Sequence, residues 1–239
     1  MFIYRNLSPI KAMTFDLDDT LYDNRPVIRR LDQEVRAWLY EYHPVAATQD
    51  EQWWGQLKLQ LAADTPWLKN DVSLWRFTQI KQGLIILGYS EPQAVDAAEQ
   101  VMEQVNHWRN LIDVPHETHR VMQALAQKIP LVAITNGNVS ADKIGISHYF
   151  KAVLRAGPDG FAKPHQDLFD KAQGILNVPR SSILHVGDHP VTDVVGAKQN
   201  GLQACWFNDQ SQSAFDTTRL RLLPDLEIHR LESLLLLVN

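Results

Sequence analysis

The spacing of hydrophobic and polar positions changes twice along the chain. A short apolar run bounded by polar residues predicts a first strand over residues 11–16. Between residues 24 and 111, apolar residues recur at intervals of three and four, which is typical of helices that bury one face. After Pro115, apolar β-branched runs alternate with helical stretches, which indicates parallel strands joined by helices.

The middle stretch predicts four helices, which cover residues 25–42, 49–63, 71–87 and 91–109. Breaks between them fall at His43-Pro44, at Thr65-Pro66, and at residues 88–92, where a glycine stop, an N-cap serine and a first-turn proline follow one another. Short connections favour antiparallel neighbours, so the simplest arrangement is a small four-helix bundle.

The second half predicts helices over residues 116–127, 140–146, 166–176 and 192–200, and strands over 131–135, 152–155, 182–187 and 203–207. The predicted fold class is therefore α/β, a Rossmann-like doubly wound parallel sheet with an inserted four-helix domain. Residues 1–22 and 111–239 would form the core, and residues 23–110 the insertion.

Composition narrows the class of protein. The formal net charge of −5 and the scattered basic residues argue against a nucleic-acid surface. A single cysteine excludes an intrachain disulfide framework and fits a reducing compartment. The N-terminus lacks a signal-peptide pattern, and the longest apolar stretch, Leu234 to Val238, is too short to span a membrane. We expect a cytoplasmic protein with no nucleic-acid or membrane partner; the sequence does not fix its oligomeric state.

The candidate chemistry lies where predicted strands end, which is where α/β sheets bind ligands. Asp16 and Asp18 follow the first strand and share a face, and two such carboxylates are usually found where a cation lies between them or where one acid holds a proton that the chemistry needs. The remaining candidates follow other strands or precede helices; they are Thr135, Asn136, Lys163, Asp188 and Asp193. Each alone reads as an ordinary turn or cap, but together they suit phosphoryl transfer, which needs a metal, donors and an in-line nucleophile. His185, within a strand, reads as a core histidine.

The order of these groups resembles the four motifs of the haloacid dehalogenase-like hydrolase superfamily. In this chain they read Asp16-x-Asp18-x-Thr20, Thr135-Asn136-Gly137, Lys163-Pro164 and Gly187-Asp188-x-x-x-x-Asp193. The helical insertion resembles the small α-helical cap of the first subgroup of that superfamily. The acid at position 18 is similar to that of the phosphatase branch, because the dehalogenases lack it.

The resemblance implies a role for each motif residue. Asp16 would attack phosphorus and form an aspartyl-phosphate, while Asp18 would act as general acid and then as general base. Mg²⁺ would bind the Asp16 carboxylate, the Asp18 backbone carbonyl and Asp188. Thr135, Asn136 and Lys163 would hold the phosphoryl oxygens, Asp193 would orient the bound waters or the lysine from outside the metal shell, and Thr20 would fix the loop.

Longer runs, residues 17–26, 130–138 and 154–158, resemble a narrower bacterial group. That group hydrolyses flavin mononucleotide (FMN) and the phosphorylated ribitylamino-uracil intermediate of riboflavin synthesis, so small phosphate esters of this kind are the expected substrates. One departure is His189, which stands where the group tends to have an aspartate; a changed metal affinity or pH response is the expected consequence.

Substrate choice would depend on the insertion, and the sequence leaves it open. Tyr22, Arg25 and Arg76 are candidate substrate contacts at a cleft between cap and core. The alternatives are a capped phosphatase for a sugar phosphate, phosphoglycolate or a nucleoside monophosphate, a phosphomutase, or a non-catalytic binding module on the same fold.

Overall fold

The computed structural model describes residues 1–209 and 222–238. The chain divides into two compact units. The sheet unit comprises Met1–Asp23 and Asp113–Asn239, and the helical unit comprises Asn24–Ile112. The sequence-based boundaries lie one residue earlier at the first junction and two residues earlier at the second.

The sheet unit contains a seven-stranded sheet among its described residues, in the order β1-β7-β6-β5-β2-β3-β4. The strands are β1 (Phe2–Ile3), β2 (Ala12–Phe15), β3 (Leu131–Thr135), β4 (Val153–Arg155), β5 (Ile183–Gly187), β6 (Gln203–Phe207) and β7 (Leu226–Ile228). Every neighbouring pair is parallel except β1 with β7, which is antiparallel. The predicted α/β class with a mainly parallel sheet is confirmed.

The central strands β2, β3 and β5 are buried at every position, as expected for parallel strands with helices on both faces. Among the described residues of this unit, the α-helices are α5 (His116–Ala126), α6 (Gln166–Leu176) and α7 (Gly196–Gln199). In the register of the sheet, Thr14 of β2 lies beside Val132 of β3 on one side and His185 of β5 on the other. The carboxyl ends of these three strands therefore meet at one edge, and that edge positions the candidate site.

The helical unit consists of α1 (Arg25–Tyr42), α2 (Glu51–Asp64), α3 (Val72–Ile86) and α4 (Glu91–Arg109). Helix α4 packs against α1 and α3, and α2 packs against α3. Asp50 and Asp71 cap α2 and α3 by accepting hydrogen bonds from backbone N–H groups of the first turn. The apolar stripes of the four helices meet in one buried cluster that includes Leu31 and Leu84.

One predicted helix was wrong and two strands were not predicted. Residues 141–145 form hydrogen-bonded turns in place of a helix, because Gly145 adopts a left-handed conformation (φ 75°) that ends the first turn. The helix predicted over 192–200 is confirmed as helical; it consists of a π-helical segment, Pro190–Val195, followed by α7. Strands β1 and β7 are too short to show an alternating pattern. Among the described residues, the structure contains no helix with the length and hydropathy needed to cross a bilayer.

Candidate active site

The turn after β2 carries the first two acids. Asp16 follows the last residue of the strand, and its backbone N–H donates to the carbonyl of Val186 in β5 at 2.9 Å. The chain then bends through Asp19, which is in the left-handed region (φ 57°), a conformation that aspartate tolerates better than most residues. Asp18 lies within this bend, and its Oδ1 accepts a hydrogen bond from the hydroxyl of Tyr22 at 2.6 Å.

Lys163 is buried between two carboxylates. Its Nζ donates to Asp16 Oδ1 at 2.6 Å and to Asp193 Oδ1 at 2.7 Å, and its side chain is 1% exposed. Burial alone would lower the pKa of Lys163, but the two neighbouring carboxylates outweigh it and raise that pKa above its ordinary value. Lys163 is therefore a fixed positive charge that donates hydrogen bonds, and it is not suited to act as a general acid.

Thr135 and Asn136 at the end of β3 face different partners. The Thr135 hydroxyl accepts a hydrogen bond from the N–H of Gly137 at 2.9 Å, which leaves its own proton available for an anion. The Asn136 side chain pairs with the backbone of Lys163: Oδ1 accepts from the Lys163 N–H at 2.8 Å, and Nδ2 donates to the Lys163 carbonyl at 2.9 Å. The Asn136 amide therefore fixes the loop that carries the lysine, with one Nδ2 hydrogen left to reach a phosphoryl oxygen.

Asp188 follows the end of β5 and faces the turn after β2. Thr20 Oγ1 lies 3.4 Å from Asp188 Oδ1, a long hydrogen bond between the two loops, and the backbone carbonyl of Asp188 accepts from Trp206 Nε1 at 2.7 Å. Burial, reinforced by the negative charges of Asp193 and Asp19, raises the pKa of Asp188 to about 7.

These groups surround a cavity of about 180 Å³ in the sheet unit. Its lining contains five carboxylates and one ammonium group, contributed by Asp16, Asp18, Asp19, Asp188, Asp193 and Lys163. Burial and the three neighbouring acids raise the pKa of Asp16 well above its ordinary value, although the ammonium of Lys163 acts in the opposite direction. The five carboxyl groups of the lining outnumber its one ammonium group, so the cavity favours an additional cation.

The acids fit a divalent cation. Asp16, Asp188 and Asp193 each offer a carboxylate oxygen, and these three oxygens lie within 4.8 Å of one another. Asp193 already accepts hydrogen bonds at both oxygens, from Lys163 and His185 at Oδ1 and from the His189 N–H at Oδ2. Asp16 and Asp188 thus remain as the carboxylates best able to hold an ion that prefers hard oxygen ligands.

His185 is a buried core histidine, as the sequence predicts, and it also contacts a site carboxylate. It is buried in β5, yet its Nε2 lies 3.2 Å from Asp193 Oδ1 and its Nδ1 lies 2.9 Å from Thr14 Oγ1. The signal available in the sequence was its place three residues before Asp188 in an otherwise apolar strand. A buried polar ring needs hydrogen-bond partners, and here one of them is a site carboxylate.

His189 caps the π-helical segment after β5. Its Nδ1 accepts hydrogen bonds from the backbone N–H groups of Val191 and Thr192, each at 3.2 Å. An aspartate oxygen commonly fills this position at a helix N-terminus, so the imidazole replaces its capping function without its negative charge.

The three predicted substrate contacts lie in different surroundings. Tyr22 is buried in the sheet unit, and its hydroxyl is directed at Asp18. Arg25 is the first residue of α1 in the helical unit. Arg76 of α3 pairs with Asp32 at 2.9 Å and lines a cavity of about 280 Å³ within the helical bundle. Their part in substrate binding stays a prediction.

Comparison with known proteins places the chain in a family. Residues 10–201 match the model of haloacid dehalogenase-like hydrolases. The chain is 45% identical over 238 residues, covering all of both chains, to an Escherichia coli protein described as 5-amino-6-(5-phospho-D-ribitylamino)uracil phosphatase YigB. A solved structure described as a 2-haloacid dehalogenase from Pseudomonas syringae superposes with a TM-score of 0.89 at 34% identity, covering 95% of this chain and 97% of that one. The chain belongs to the haloacid dehalogenase-like hydrolase family.

Proposed function

We propose that this protein is a magnesium-dependent phosphomonoesterase that acts on small phosphorylated metabolites. Its first expected substrate is 5-amino-6-(5-phospho-D-ribitylamino)uracil, which appears in the description of the E. coli relative that matches over its full length. Its second expected substrate is FMN. The observation that carries the proposal is the pair Asp16 and Asp18 at the carboxyl end of β2, with Lys163 Nζ 2.6 Å from the first acid. Asp18 favours a phosphatase because a leaving alkoxide needs a proton and a leaving halide does not.

In the first half-reaction, a carboxylate oxygen of Asp16 forms a bond to phosphorus as the bond to the ester oxygen breaks. Asp18 gives its proton to the departing alkoxide, which leaves as the alcohol. Tyr22 supports this step, because its hydroxyl donates to Asp18 Oδ1 and thereby fixes the orientation of the acid.

In the second half-reaction, Asp18 takes a proton from water as that water attacks phosphorus, and Asp16 leaves as a free carboxylate. The Lys163 ammonium and the Thr135 hydroxyl are aimed at the same cavity, where they neutralise charge on the phosphoryl oxygens. Asp16, Asp188 and the Asp18 backbone carbonyl would hold Mg²⁺, which supplies further charge neutralisation and positions the phosphate.

A phosphate-release screen tests this function. The purified protein is incubated with Mg²⁺ and a panel that contains the ribitylamino-uracil phosphate, FMN, sugar phosphates, phosphoglycolate and nucleoside monophosphates. We expect the first two substrates to have the highest kcat/KM. A sugar phosphate or nucleotide at the top would change the substrate assignment, and release from no ester would refute the phosphatase assignment.

A second candidate is 2-haloacid dehalogenation, because the P. syringae structure that shares 34% of its residues with this chain carries that description. The same nucleophile at position 16 could displace chloride from carbon. Incubation with 2-chloropropionate and measurement of chloride separate the two reactions. We expect no chloride release above the background of an Asp16→Asn variant.

Metal binding should be visible without turnover. A ligand present at 100 times its Kd stabilises the folded state by about 2.7 kcal/mol, which corresponds to a Tm rise of about 5–10 °C for a chain of this size. We expect Mg²⁺ to raise Tm relative to EDTA in differential scanning fluorimetry. Asp188→Asn should remove most of this rise, whereas Asp170→Asn, which alters an exposed ion pair with Arg180, should retain it. A full Mg²⁺ effect in Asp188→Asn would contradict the ligand assignment.

Tyr22→Phe tests how Asp18 is oriented. The change removes only the hydroxyl that lies 2.6 Å from Asp18 Oδ1. Asp18 becomes negative as it gives up its proton in the transition state, and a hydrogen bond to a charged group contributes about 1.5–3 kcal/mol, so kcat should fall by about 10- to 100-fold. Because Tyr22 is buried, KM for a small ester should change by less than about threefold. An increase in KM with unchanged kcat would instead support the predicted substrate contact.

A further inference from the structure

Five buried polar side chains form a continuous line of hydrogen bonds that leads from the interior of the sheet to the cavity. Thr14 Oγ1 lies 2.9 Å from His185 Nδ1, His185 Nε2 lies 3.2 Å from Asp193 Oδ1, and that oxygen lies 2.7 Å from Lys163 Nζ. The line ends at Asp16 Oδ1, 2.6 Å from the same ammonium. Thr14 lies in β2 and Asp16 directly follows the last residue of that strand, so the line begins and ends on one short segment of the chain.

The position of each member is set by the sheet. Thr14 and His185 are directly paired in the parallel register of β2 and β5, which brings the hydroxyl to the imidazole. The ring of Phe169 in α6 packs edge-on against His185 at 5.3 Å and closes its other side. A Cβ on Gly187 would lie 2.4 Å from Asp193 Cγ, so the missing side chain allows the carboxylate to approach the strand.

The direction of the hydrogen bonds follows from the chemistry of the partners. An ionised carboxylate only accepts, so His185 Nε2 must carry the hydrogen that faces Asp193. Burial lowers the pKa of His185, which favours a neutral ring with Nδ1 as an acceptor. The Thr14 hydroxyl then donates to Nδ1 and holds the ring in the tautomer that Asp193 requires.

We propose that His185, held by Thr14, is a positioning residue that fixes the Asp193 carboxylate and, through it, the Lys163 ammonium beside Asp16. This inference rests on the proposed phosphatase function for its kinetic consequence, whereas the hydrogen-bond line stands independently of that function. Lys163 would be correctly placed before substrate binds, so it would stabilise charge that develops in the transition state without reorganisation. His185 acts through Asp193 and touches neither substrate nor metal.

A matched pair of variants tests the role. His185→Gln keeps an N–H donor at about the reach of Nε2, whereas His185→Met has similar length and no donor. We expect His185→Met to lower kcat about tenfold with KM nearly unchanged, and His185→Gln to restore most of the loss. A second pair tests the hydroxyl that holds the ring. Thr14→Val should lower kcat, and Thr14→Ser should restore most of the loss, with smaller changes in kcat than in the His185 variants. The positioning role would be refuted if His185→Gln and His185→Met lost kcat equally. It would also be refuted if the loss of kcat followed the fall in Tm across all four variants.

A spectroscopic measurement separates this inference from the proposed function. In metal-free protein labelled with ¹⁵N-histidine, the His185 ring signals are assigned by their absence in His185→Gln. We expect a neutral ring with its hydrogen on Nε2 and an acceptor at Nδ1. A hydrogen on Nδ1 would overturn the inference, even if phosphatase activity is present. Absence of phosphate release with the expected tautomer would refute the proposed function and the kinetic role, and leave the hydrogen-bond line established.

Discussion

Asp16→Asn should reduce phosphate release by at least about 10⁴-fold, because removal of an enzyme nucleophile leaves only the contributions of binding and electrostatics. The substitution preserves shape and leaves an amide oxygen that can still accept from Lys163 Nζ. It removes the carboxylate that would form the covalent intermediate. The measurement is single-turnover and steady-state phosphate release with the best ester from the screen.

The same substitution should leave the fold intact. Burial and neighbouring acids raise the pKa of Asp16, which means that its charged form is disfavoured in the metal-free protein. Loss of that charge should therefore not lower Tm in EDTA. Asp170→Asn, which removes an exposed carboxylate from the same unit, is the matched control and should retain activity within about twofold. Undiminished phosphate release by Asp16→Asn would show that the nucleophile is assigned wrongly.

Much of the fold was predictable because its signals are local. Helix α4 begins at a serine cap and first-turn proline, and β3 is an uninterrupted apolar run; both have the predicted bounds. The turn at residues 141–145 was not predictable from periodicity, because one glycine conformation decides whether a single turn continues. Strand β7 pairs with β1 from the other end of the chain, and no local pattern encodes that partner.

The candidate site shows the same division between local and long-range information. Strand ends in a parallel sheet meet at one edge, so the closeness of Asp16, Lys163 and Asp188 could be expected from topology. The orientation of the side chains could not be predicted from topology. The Asn136 amide turns towards the Lys163 backbone, and Tyr22 turns towards Asp18, because those partners satisfy buried polar groups. The contact between His185 and Asp193 was likewise not predictable, because the two residues lie on different elements.

Lys163→Met should be the most damaging substitution to the sheet unit. The ammonium is almost completely buried between Asp16 and Asp193, so its removal leaves the Asp193 carboxylate without this counter-charge and Asp16 without the cation that favours its ionised form. Breaking a buried pair in this way costs about 3–5 kcal/mol, which corresponds to a fall in Tm of about 6–20 °C. Phosphate release should fall by about 10³-fold as well, because the charge that neutralises the phosphoryl oxygens is lost.

Three comparisons show whether charge or packing causes these losses. In Lys163→Met/Asp193→Asn one of the uncompensated charges is gone, so the double variant should regain part of the lost stability but none of the activity. Mg²⁺ should raise the Tm of Lys163→Met by more than that of the unmodified protein, since the variant cavity is more negative. Lys198→Met breaks an ion pair with buried Asp225 away from the cavity and should lower Tm while leaving kcat unchanged. If Lys163→Met and Lys198→Met behave alike in both measurements, Lys163 only supports the fold, and charge neutralisation during phosphoryl transfer must come from other groups.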